Sequence, residues 1–289
     1  MDSPVRIAIA SGKGGTGKTT VAVNLASVLA DGGQTVQYLD CDVEEPNGHI
    51  FLGPCITASE PVGIPVPVVD AEKCTGCRKC AEVCEYHAIA VLKEALVFPE
   101  LCHGCGGCAL VCPEGAIREQ ARTIGVVESG HADGIGFVQG RLNVGEPMAP
   151  PLIRAVKRKA RPDGVILLDA PPGTSCPVVA TVRDADYVLL VTEPTPFGLN
   201  DLQLAVAMVR GLGRRFGVVI NRADCGDRGV REYCDRENIP VLLELPDDRR
   251  VAEAYSCGQM AVKVLSDWAE HMRGLWGRVC ERQHGRRPE

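Results

Sequence analysis

The sequence lacks three features that would each point to a different class of protein. It has no excess of positive charge, since 31 lysine and arginine residues face 37 aspartate and glutamate residues, for a net charge of −6. A nucleic-acid surface requires clustered basic residues, so we expect no nucleic-acid partner. No apolar run approaches the roughly 18 residues that a membrane-spanning helix needs. An ordered motif begins within the first dozen residues, which leaves no room for a signal peptide, and we expect a cytoplasmic protein.

Cysteine is the residue type that stands out by its abundance, with 15 in a chain of 289 residues. Disulfides are typical of secreted proteins, so without a signal peptide the expected role of these thiols is metal binding or catalysis. The length allows one large or two modest domains, with enough chain to bury a sizeable core.

Strand-like and helix-like segments alternate along most of the chain. Residues 5–10 are apolar β-formers, residues 18–30 carry apolar side chains at helical spacing, and residues 35–39 form a second predicted strand. This order opens a βαβ unit. Further strands are predicted at 164–168, 187–192, 217–220 and 241–243, and helices at 151–160, 199–211, 230–237 and 262–282. The alternation predicts an α/β fold with a mostly parallel sheet and helices on both faces.

Two segments interrupt this alternation. Residues 53–67 contain four prolines and are predicted to be a linker. The region from residue 70 to about 122 is dense in cysteine and contains a repeat with a step of 28 residues. In this repeat Cys74, Cys77, Cys80 and Cys84 recur as Cys102, Cys105, Cys108 and Cys112. A duplicated unit this short seldom buries a core alone, so we expect its two halves to pack against each other.

A glycine-rich loop follows the first predicted strand. It fits the phosphate-loop pattern G-x-x-x-x-G-K-[ST] with Gly12, Lys13, Gly14, Gly15, Thr16, Gly17, Lys18 and Thr19, and Thr20 completes the predicted nucleotide-binding set. Glycine lets backbone N–H groups approach phosphate oxygens, and the helix that begins near Lys18 points its positive end at the same charge. We expect Lys18 to contact the terminal phosphates and Thr19 to ligate Mg²⁺.

Lys13 is a second lysine inside this loop, which a plain phosphate loop does not need. The run from Lys13 to Thr20 resembles the deviant phosphate loop of the MinD/Mrp/nitrogenase-iron-protein class of ATPases. The resemblance implies ATP as the nucleotide and an ATP-sandwich dimer, formed by two copies of this chain or by one copy and a close paralogue. In such a dimer Lys13 would reach the partner's nucleotide, by the logic of an arginine finger supplied in trans.

Three carboxylates and one amide extend this resemblance. Asp40 and Asp42 follow the second predicted strand and look like the first switch of the class, while Asp169 follows a later strand and looks like the second. The resemblance implies that Asp42 orients the attacking water and that Asp40 and Asp169 hold Mg²⁺ through water. Asn221 would hydrogen-bond the adenine edge. Taken singly, Asp42 and Asp169 could also be helix caps or turn residues, and Asn221 could be a turn residue. The predicted catalytic set is Lys13, Lys18, Asp42 and Asp169.

The spacing Cys-x₂-Cys-x₂-Cys-x₃-Cys, present twice, resembles that of bacterial two-cluster ferredoxins, in which the fourth cysteine of each run binds the other [4Fe–4S] cluster. The resemblance implies one cluster on Cys74, Cys77, Cys80 and Cys112 and another on Cys102, Cys105, Cys108 and Cys84. Glu85 follows Cys84 where the ferredoxin pattern has proline, whereas Pro113 follows Cys112. Paired Cys-x₂-Cys units also build structural zinc sites, which is the alternative interpretation.

The seven cysteines outside the repeat are expected to be small buried hydrophobic residues. They are Cys41, Cys55, Cys176, Cys225, Cys234, Cys257 and Cys280. Cys176 lies seven residues past Asp169. The nitrogenase iron protein has a ligand cysteine at a similar offset, but this chain shows no matching second cysteine for such a cluster.

The whole chain resembles MinD-superfamily P-loop ATPases that contain an inserted ferredoxin domain. The resemblance predicts an ATPase domain of residues 1–62 and 123–289 and a ferredoxin-like insertion of residues 63–122. It implies an ATP-hydrolysing enzyme that couples ATP to electron transfer through two [4Fe–4S] clusters to an unknown redox or client protein. Two alternatives stay open: an iron–sulfur cluster assembly or carrier factor, and a redox-sensing positioning protein. We expect the C-terminal helix to pack on the sheet rather than lie on a membrane.

Overall fold

A computed structural model describes residues 4–284, and its centre is a nine-stranded sheet. In chain order the strands are β1 (Val5–Ala10), β2 (Val36–Asp40), β3 (Cys55–Val69), β4 (Ile89–Val91), β5 (Ala95–Val97), β6 (Ile117–Ala132), β7 (Ile135–Leu142), β8 (Val165–Asp169), β9 (Tyr187–Thr192), β10 (Arg215–Asn221) and β11 (Val241–Leu245). Their order across the large sheet is β11-β10-β9-β1-β8-β2-β7-β6-β3, while β4 and β5 form a separate hairpin.

Helices connect most of these strands. In chain order they are α1 (Lys18–Asp31), α2 (Gly48–Leu52), α3 (Lys79–Glu82), α4 (Gly107–Val111), α5 (Ala149–Arg158), α6 (Cys176–Val182), α7 (Pro196–Gly211), α8 (Gly229–Arg236), α9 (Arg249–Ser256), α10 (Ala261–Val264) and α11 (Ser266–His284).

The strands from β11 to β7 are all parallel to their neighbours, whereas β6 pairs antiparallel with both β7 and β3 at one edge of this sheet. Helices α1, α10 and α11 cover one face of the parallel part, and α5, α6, α7 and α8 cover the other. Strand β8 is buried along its whole length, as expected of a strand covered on both faces. The predicted α/β fold with a mostly parallel sheet and helices on both faces is confirmed.

The predicted linker at residues 53–67 is wrong, because most of this segment belongs to β3. Strand β3 lies at the edge of the sheet and pairs there with β6. An edge strand has one open side, so a proline whose missing N–H would point outwards leaves the pairing intact. Pro61, Pro65 and Pro67 all lie in this edge strand.

Strands β6 and β7 were not predicted, although the sequence carries a signal for them. They are joined by a tight turn in which Asp133 and Gly134 have positive φ values of 44° and 81°. An Asp-Gly pair between two β-rich runs is typical of a type I′ hairpin.

The antiparallel ribbon of β3 and β6 extends beyond the rest of the sheet. Strand β7 pairs with residues 125–132 of β6, whereas residues 117–123 pair with β3 alone. This overhang lies past the carboxyl ends of the parallel strands and is roughly 23 Å long at 3.3 Å per residue. The cysteine-rich region, residues 70–116, connects the two strands at its tip. The predicted domain boundaries fall inside the ribbon, where the register shifts between Val62 and Gly63.

The predicted helix at residues 262–282 is two helices, because Leu265 has an extended backbone (φ −128°, ψ 111°). In α11, Trp268, Met272 and Leu275 are buried in the cluster that also contains residues of α1 and β11. The described part of the C-terminal helix therefore packs on the sheet, as predicted. Within residues 4–284 no helix is long and apolar enough to cross a bilayer.

Candidate functional site

The glycine-rich loop connects β1 to α1 at the carboxyl edge of the sheet. Gly15 and Gly17 have positive φ values of 78° and 90°, which glycine adopts without strain. Helix α1 begins at Lys18, so its positive end lies at the loop. Of the predicted loop set, Gly14, Gly15, Gly17, Lys18, Thr19 and Thr20 line a pocket, and among the described residues Gly12, Lys13 and Thr16 do not.

Lys18 lies among three carboxylates. Its side chain is buried, and its Nζ is 3.2 Å from Oδ1 of Asp169 and 3.8 Å from Oδ2 of Asp42. Burial alone would lower the pKa of Lys18, but Asp169, Asp42 and Asp40 together raise it, so the ammonium stays charged. The structure thus brings together the loop and both predicted switch segments, which are far apart in the sequence.

Asp40 and Asp42 give this cluster an excess of negative charge. Burial, reinforced by Asp169, raises the pKa of Asp40 to about 8. Burial also raises the pKa of Asp42 to about 6, against the opposing effect of Lys18. One ammonium does not neutralise three carboxylates, and a divalent cation would lower these pKa values again. The charges of the site therefore fit Mg²⁺ bound together with phosphate.

The polar atoms around the loop also fit a bound nucleotide. Thr16 Oγ1 and Asn47 Oδ1 are buried and have no hydrogen-bond partner within the described part of the chain. In residues 4–284 no three His, Cys, Asp or Glu side chains are arranged to hold a metal ion by themselves. Mg²⁺ does not need such a cage, because it keeps several waters and binds one or two protein groups together with substrate phosphates. The candidate Mg²⁺ ligands are Thr19 directly and Asp40 and Asp169 through water.

The Asp40 carboxylate ties the first switch segment to the sheet. It accepts hydrogen bonds from the backbone N–H groups of Asn47 at 3.2 Å and Gly48 at 3.0 Å. Tyr38, which was not predicted, donates its hydroxyl to Asp169 at 2.7 Å and packs against Gly48. From Gly48 the chain continues through α2 into β3, so the carboxylate cluster is directly connected to the ribbon.

Replacing Gly48 by alanine should disturb this cluster. A methyl group there would lie 2.5 Å from the ring of Tyr38, which is stacked on Phe137 and bonded to Asp169. Overpacking of this kind costs about 1–3 kcal/mol, so thermal denaturation should show a Tm lower by roughly 2–10 °C. Gly211→Ala is the matched control, because a methyl group there meets nothing within 4 Å. Equal Tm values for the two variants would contradict this account of Gly48.

The other side of the nucleotide pocket is built from segments later in the chain. Its lining residues there include Asn221, Arg222, Pro246, Asp247, Tyr255 and Trp268. Asn221 Nδ2 donates to the carbonyl of Thr16 at 3.0 Å, and a Cβ at Gly17 would collide with it. Asn221 therefore lies against the loop, and its contact with the base stays a prediction. Tyr255 and Trp268 were not predicted as site residues, because no motif marks them, and Arg222 was noted beside Asn221 without a role of its own.

Lys13 lies apart from Lys18. Its Nζ is 3.5 Å from Oε2 of Glu193, which follows β9. The predicted contact of Lys13 with a partner's nucleotide requires a second chain and stays a prediction.

The eight cysteines of the repeat lie around two small pockets. The outer pocket is lined by Cys74, Cys77, Cys80 and Cys112, and the inner pocket by Cys84, Cys102, Cys105 and Cys108. Each pocket gathers three closely spaced cysteines from one half of the repeat and the last cysteine of the other half. This is the same crossed grouping that the resemblance to ferredoxins implies.

The two halves of the repeat share one backbone conformation. Positive φ values at Gly76, Arg78 and His87 recur 28 residues later at Gly104, Gly106 and Gly115. The backbone N–H groups of Ala88 and Ala116 donate to Sγ of Cys84 and Cys112, both at 3.3 Å. Hydrogen bonds to ligand sulfurs tune the potential of iron–sulfur centres, so these donors suit such ligands.

One buried cysteine of the inner pocket lies in the main core of the sheet, whereas the buried cysteine of the outer pocket does not. Cys102 of the inner pocket belongs to the main buried cluster, together with Ile64 and Ile124 of the ribbon. Cys80 of the outer pocket belongs to a small separate cluster, which it shares with Cys108. Because Cys80 and Cys108 come from different halves of the repeat, the halves pack against each other, as predicted.

The expectation that the other seven cysteines are buried is wrong for four of them. Cys55, Cys176, Cys225 and Cys257 are exposed, whereas Cys41 and Cys234 are buried and Cys280 is half-buried. Cys55 and Cys176 begin a strand and a helix, and Cys257 caps α9. The ends of these strands and helices lie at the surface. The general tendency of cysteine to be buried does not tell which cysteines of a chain fall at such ends.

A phosphate loop between a strand and a helix, with a buried lysine and carboxylates at the ends of neighbouring parallel strands, defines a P-loop nucleotide-binding protein. Residues 7–262 match the family model described as the CobQ/CobB/MinD/ParA nucleotide binding domain. The chain belongs to this family of MinD/ParA-type ATPases.

Several known proteins are similar over nearly the whole chain. An uncharacterized protein of Methanocaldococcus jannaschii is 29% identical over 285 residues, which cover 96% of this chain and 100% of that protein. The iron-sulfur cluster carrier protein of the same organism is 24% identical over 301 residues, 98% of this chain and 86% of that protein. The structure of the septum site-determining protein MinD of Pyrococcus horikoshii, complexed with Mg-ADP, has a TM-score of 0.62 and 20% identity and covers 96% of each chain. The structural similarity confirms the MinD-like fold.

Proposed function

We propose that the protein is an ATP-dependent dimer that couples ATP hydrolysis to electron transfer through two [4Fe–4S] clusters to a partner protein. In this proposal residues 1–62 and 123–289 form the ATPase domain and residues 63–122 form a ferredoxin-like insertion. The observation that carries the proposal is the crossed gathering of eight cysteines around two pockets, beyond the same edge of the sheet that bears the phosphate loop.

The two cysteine pockets suit clusters better than single ions. Iron–sulfur clusters supply one-electron transfer when bound. A [4Fe–4S] cluster would be held by four separate thiolates, so the four cysteines of a pocket need not converge on one point. Structural zinc instead needs four ligands around one ion. Each pocket gathers three closely spaced cysteines and one from the other half of the repeat, which is the ferredoxin pattern, whereas zinc sites are typically built from two Cys-x₂-Cys pairs.

The nucleotide site supplies the other half of the proposal. Lys18 would contact the terminal phosphates, Thr19 would ligate Mg²⁺, and Asp42, which lines the pocket, would orient the attacking water. Lys13 would complete the site of the second subunit. The Mg-ADP in the complex of the Pyrococcus horikoshii MinD supports Mg²⁺ with an adenine nucleotide here.

Two structural routes join the nucleotide site to the ribbon. On one route, Asp40 binds the backbone N–H of Gly48, from which the chain leads through α2 into β3. On the other, the N–H of Leu142 donates at 2.8 Å to the carbonyl of Val43, which ties the segment after Asp42 to the end of β7, the neighbour of β6. A nucleotide that rearranges the first switch would therefore act on both strands that carry the cysteine pockets.

A carrier function is the second candidate, because several relatives are named iron-sulfur cluster carrier protein. In that function the clusters would be cargo. Each pocket offers a complete set of four cysteines from this chain, and a cluster with all four ligands supplied is hard to release. Electron transfer is the better-supported function on this ground.

The proposal predicts that nucleotide shifts the reduction potential of the clusters. The measurement is an anaerobic redox titration followed by electron paramagnetic resonance, with and without a non-hydrolysable Mg-ATP analogue. We expect a shift of about 60 mV, which is a tenfold change in a one-electron equilibrium. The inner cluster should shift more, because its pocket shares the main core with the ribbon.

Lys18→Ala provides the control for this titration. This variant should keep both clusters and show no shift on addition of the analogue. If the natural protein holds both clusters, binds the analogue and still shows no shift, ATP-coupled electron transfer is contradicted. ATP-dependent loss of the clusters to an apo-ferredoxin would instead support the carrier function.

A further inference from the structure

Lys13 and Glu193 form an ion pair beside the nucleotide pocket. Lys13 Nζ lies 3.5 Å from Glu193 Oε2, and the exposed fractions of the two side chains are 33% and 12%. Strand β9, which ends just before Glu193, pairs with β1, which leads into the loop. The ion pair thus holds Lys13 against its own subunit.

Arg222 binds the same carboxylate and connects it to the nucleotide pocket. Its Nη1 donates to Oε1 of Glu193 at 3.0 Å, and its Nε lies 3.4 Å from Oδ1 of Asp247. Both Arg222 and Asp247 line the pocket. Arg222 also has a φ of 52°, a backbone conformation that residues other than glycine seldom adopt and that is concentrated at functional sites.

The backbone beneath Glu193 is fixed, so Lys13 is the partner that moves. The next residue, Pro194, accepts a hydrogen bond from the N–H of Asp227 at 3.1 Å, and its carbonyl leaves no room for a Cβ at Gly226. Lys13 instead has a long flexible side chain of which a third is exposed.

We propose that Glu193 is a positioning residue that holds Lys13 in the resting subunit, and that Arg222 couples the release of Lys13 to the nucleotide pocket. The inference rests on the proposed ATP-dependent dimer, in which Lys13 acts on the second subunit. Lys13 cannot contact Glu193 and a partner's nucleotide at once, so closure of the dimer must break the ion pair. A nucleotide that contacts Asp247 would take that carboxylate away from Arg222. Arg222 then neutralises Glu193 more fully, and the attraction of Glu193 for Lys13 becomes weaker.

Substitutions of Glu193 and of Arg222 should have opposite effects on dimerisation. The measurement is the dimer dissociation constant by analytical ultracentrifugation of the full chain with a saturating non-hydrolysable Mg-ATP analogue. Glu193→Gln should lower the dissociation constant by about fivefold, the size expected of a partly exposed ion pair. Arg222→Ala should raise the dissociation constant. Without Arg222, Lys13 is the remaining cation of the two that contact Glu193, so Glu193 holds it more strongly.

A double-mutant cycle separates this role from a merely structural one. In a Lys13→Ala background, Glu193→Gln should leave the dissociation constant unchanged, because no ion pair is left to break. Glu237→Gln is the matched control, since it removes a carboxylate that binds Arg210 on the surface.

Three results would overturn the inference. Glu193→Gln could weaken the dimer or leave it unchanged, its effect could persist without Lys13, or Arg222→Ala could tighten the dimer as Glu193→Gln does. A natural protein that binds the analogue but stays monomeric would overturn the proposed dimer itself, and the role of Glu193 with it. A natural protein that dimerises while Glu193→Gln has no effect would overturn only the role of Glu193.

Discussion

Lys18→Ala should reduce the affinity for Mg-ATP by at least about 100-fold. Lys18 is a buried cation between Asp169 and Asp42, at the start of the helix that faces the phosphate loop. The contact of Lys18 with the terminal phosphates would be a buried charge pair, and truncating one partner of such a pair costs about 2–5 kcal/mol of binding free energy, where a 100-fold loss is about 2.7 kcal/mol. Isothermal titration calorimetry of the anaerobically purified protein measures the change.

Two controls make this result interpretable. Lys263→Ala removes a lysine that contacts Asp31 on the surface, and it should bind Mg-ATP as the natural protein does. Tm and iron content report whether the Lys18→Ala variant is folded. This check is needed because the loss of Lys18 removes the ammonium group beside the buried carboxylates of Asp40 and Asp169. A folded Lys18→Ala variant with the affinity of the natural protein would show that this loop is not the phosphate site.

Local spacing carries most of the information about the phosphate loop. The glycines and lysines from Gly12 to Lys18 form one short continuous segment. The conformation of the loop depends mainly on these residues, so the motif alone predicts it. Lys18 and Asp169 are 151 residues apart, yet the sequence also allows their proximity to be predicted. Strands that alternate with helices predict a parallel sheet, and the carboxyl ends of parallel strands meet at one edge.

The contact between Glu193 and Arg222 could not be predicted from the sequence in this way. They meet because β9 and β10 are neighbours with Thr192 opposite Ile220, which places the residues that follow the two strands side by side. No motif gives the order of these strands in the sheet or their register. A lone glutamate after a strand therefore carries no signal, and the ion pair with Lys13 becomes visible only in three dimensions.

Strand β3 shows the same limit for secondary structure. Its prolines predict a linker when residues 53–67 are considered alone, but pairing with β6 makes them a strand. That partner lies some 50 to 75 residues away along the chain. Strand formation depends more on such partners than on intrinsic propensity, so a composition-based prediction fails here.

In the proposed two-cluster protein, Cys112→Ala should remove the cluster of the outer pocket and leave that of the inner pocket. Cys112 follows Cys108 by four residues in the sequence, but it lines the outer pocket, whereas Cys108 lines the inner one. The iron content should fall from about eight to about four atoms per chain, because one of two four-iron clusters loses a ligand. Cys84→Ala should give the same iron content but remove the inner cluster.

The spectrum of the remaining cluster decides between crossed and sequential ligand sets. With crossed sets, the electron paramagnetic resonance spectrum of Cys112→Ala matches that of Cys77→Ala, and Cys84→Ala matches Cys105→Ala. A match of Cys112→Ala with Cys105→Ala would show that each run binds its own cluster. Cys55→Ala, an exposed cysteine outside the repeat, should keep both clusters. Because the inner pocket shares the core of the ribbon, the variant that keeps only the inner cluster should also keep the larger response to nucleotide.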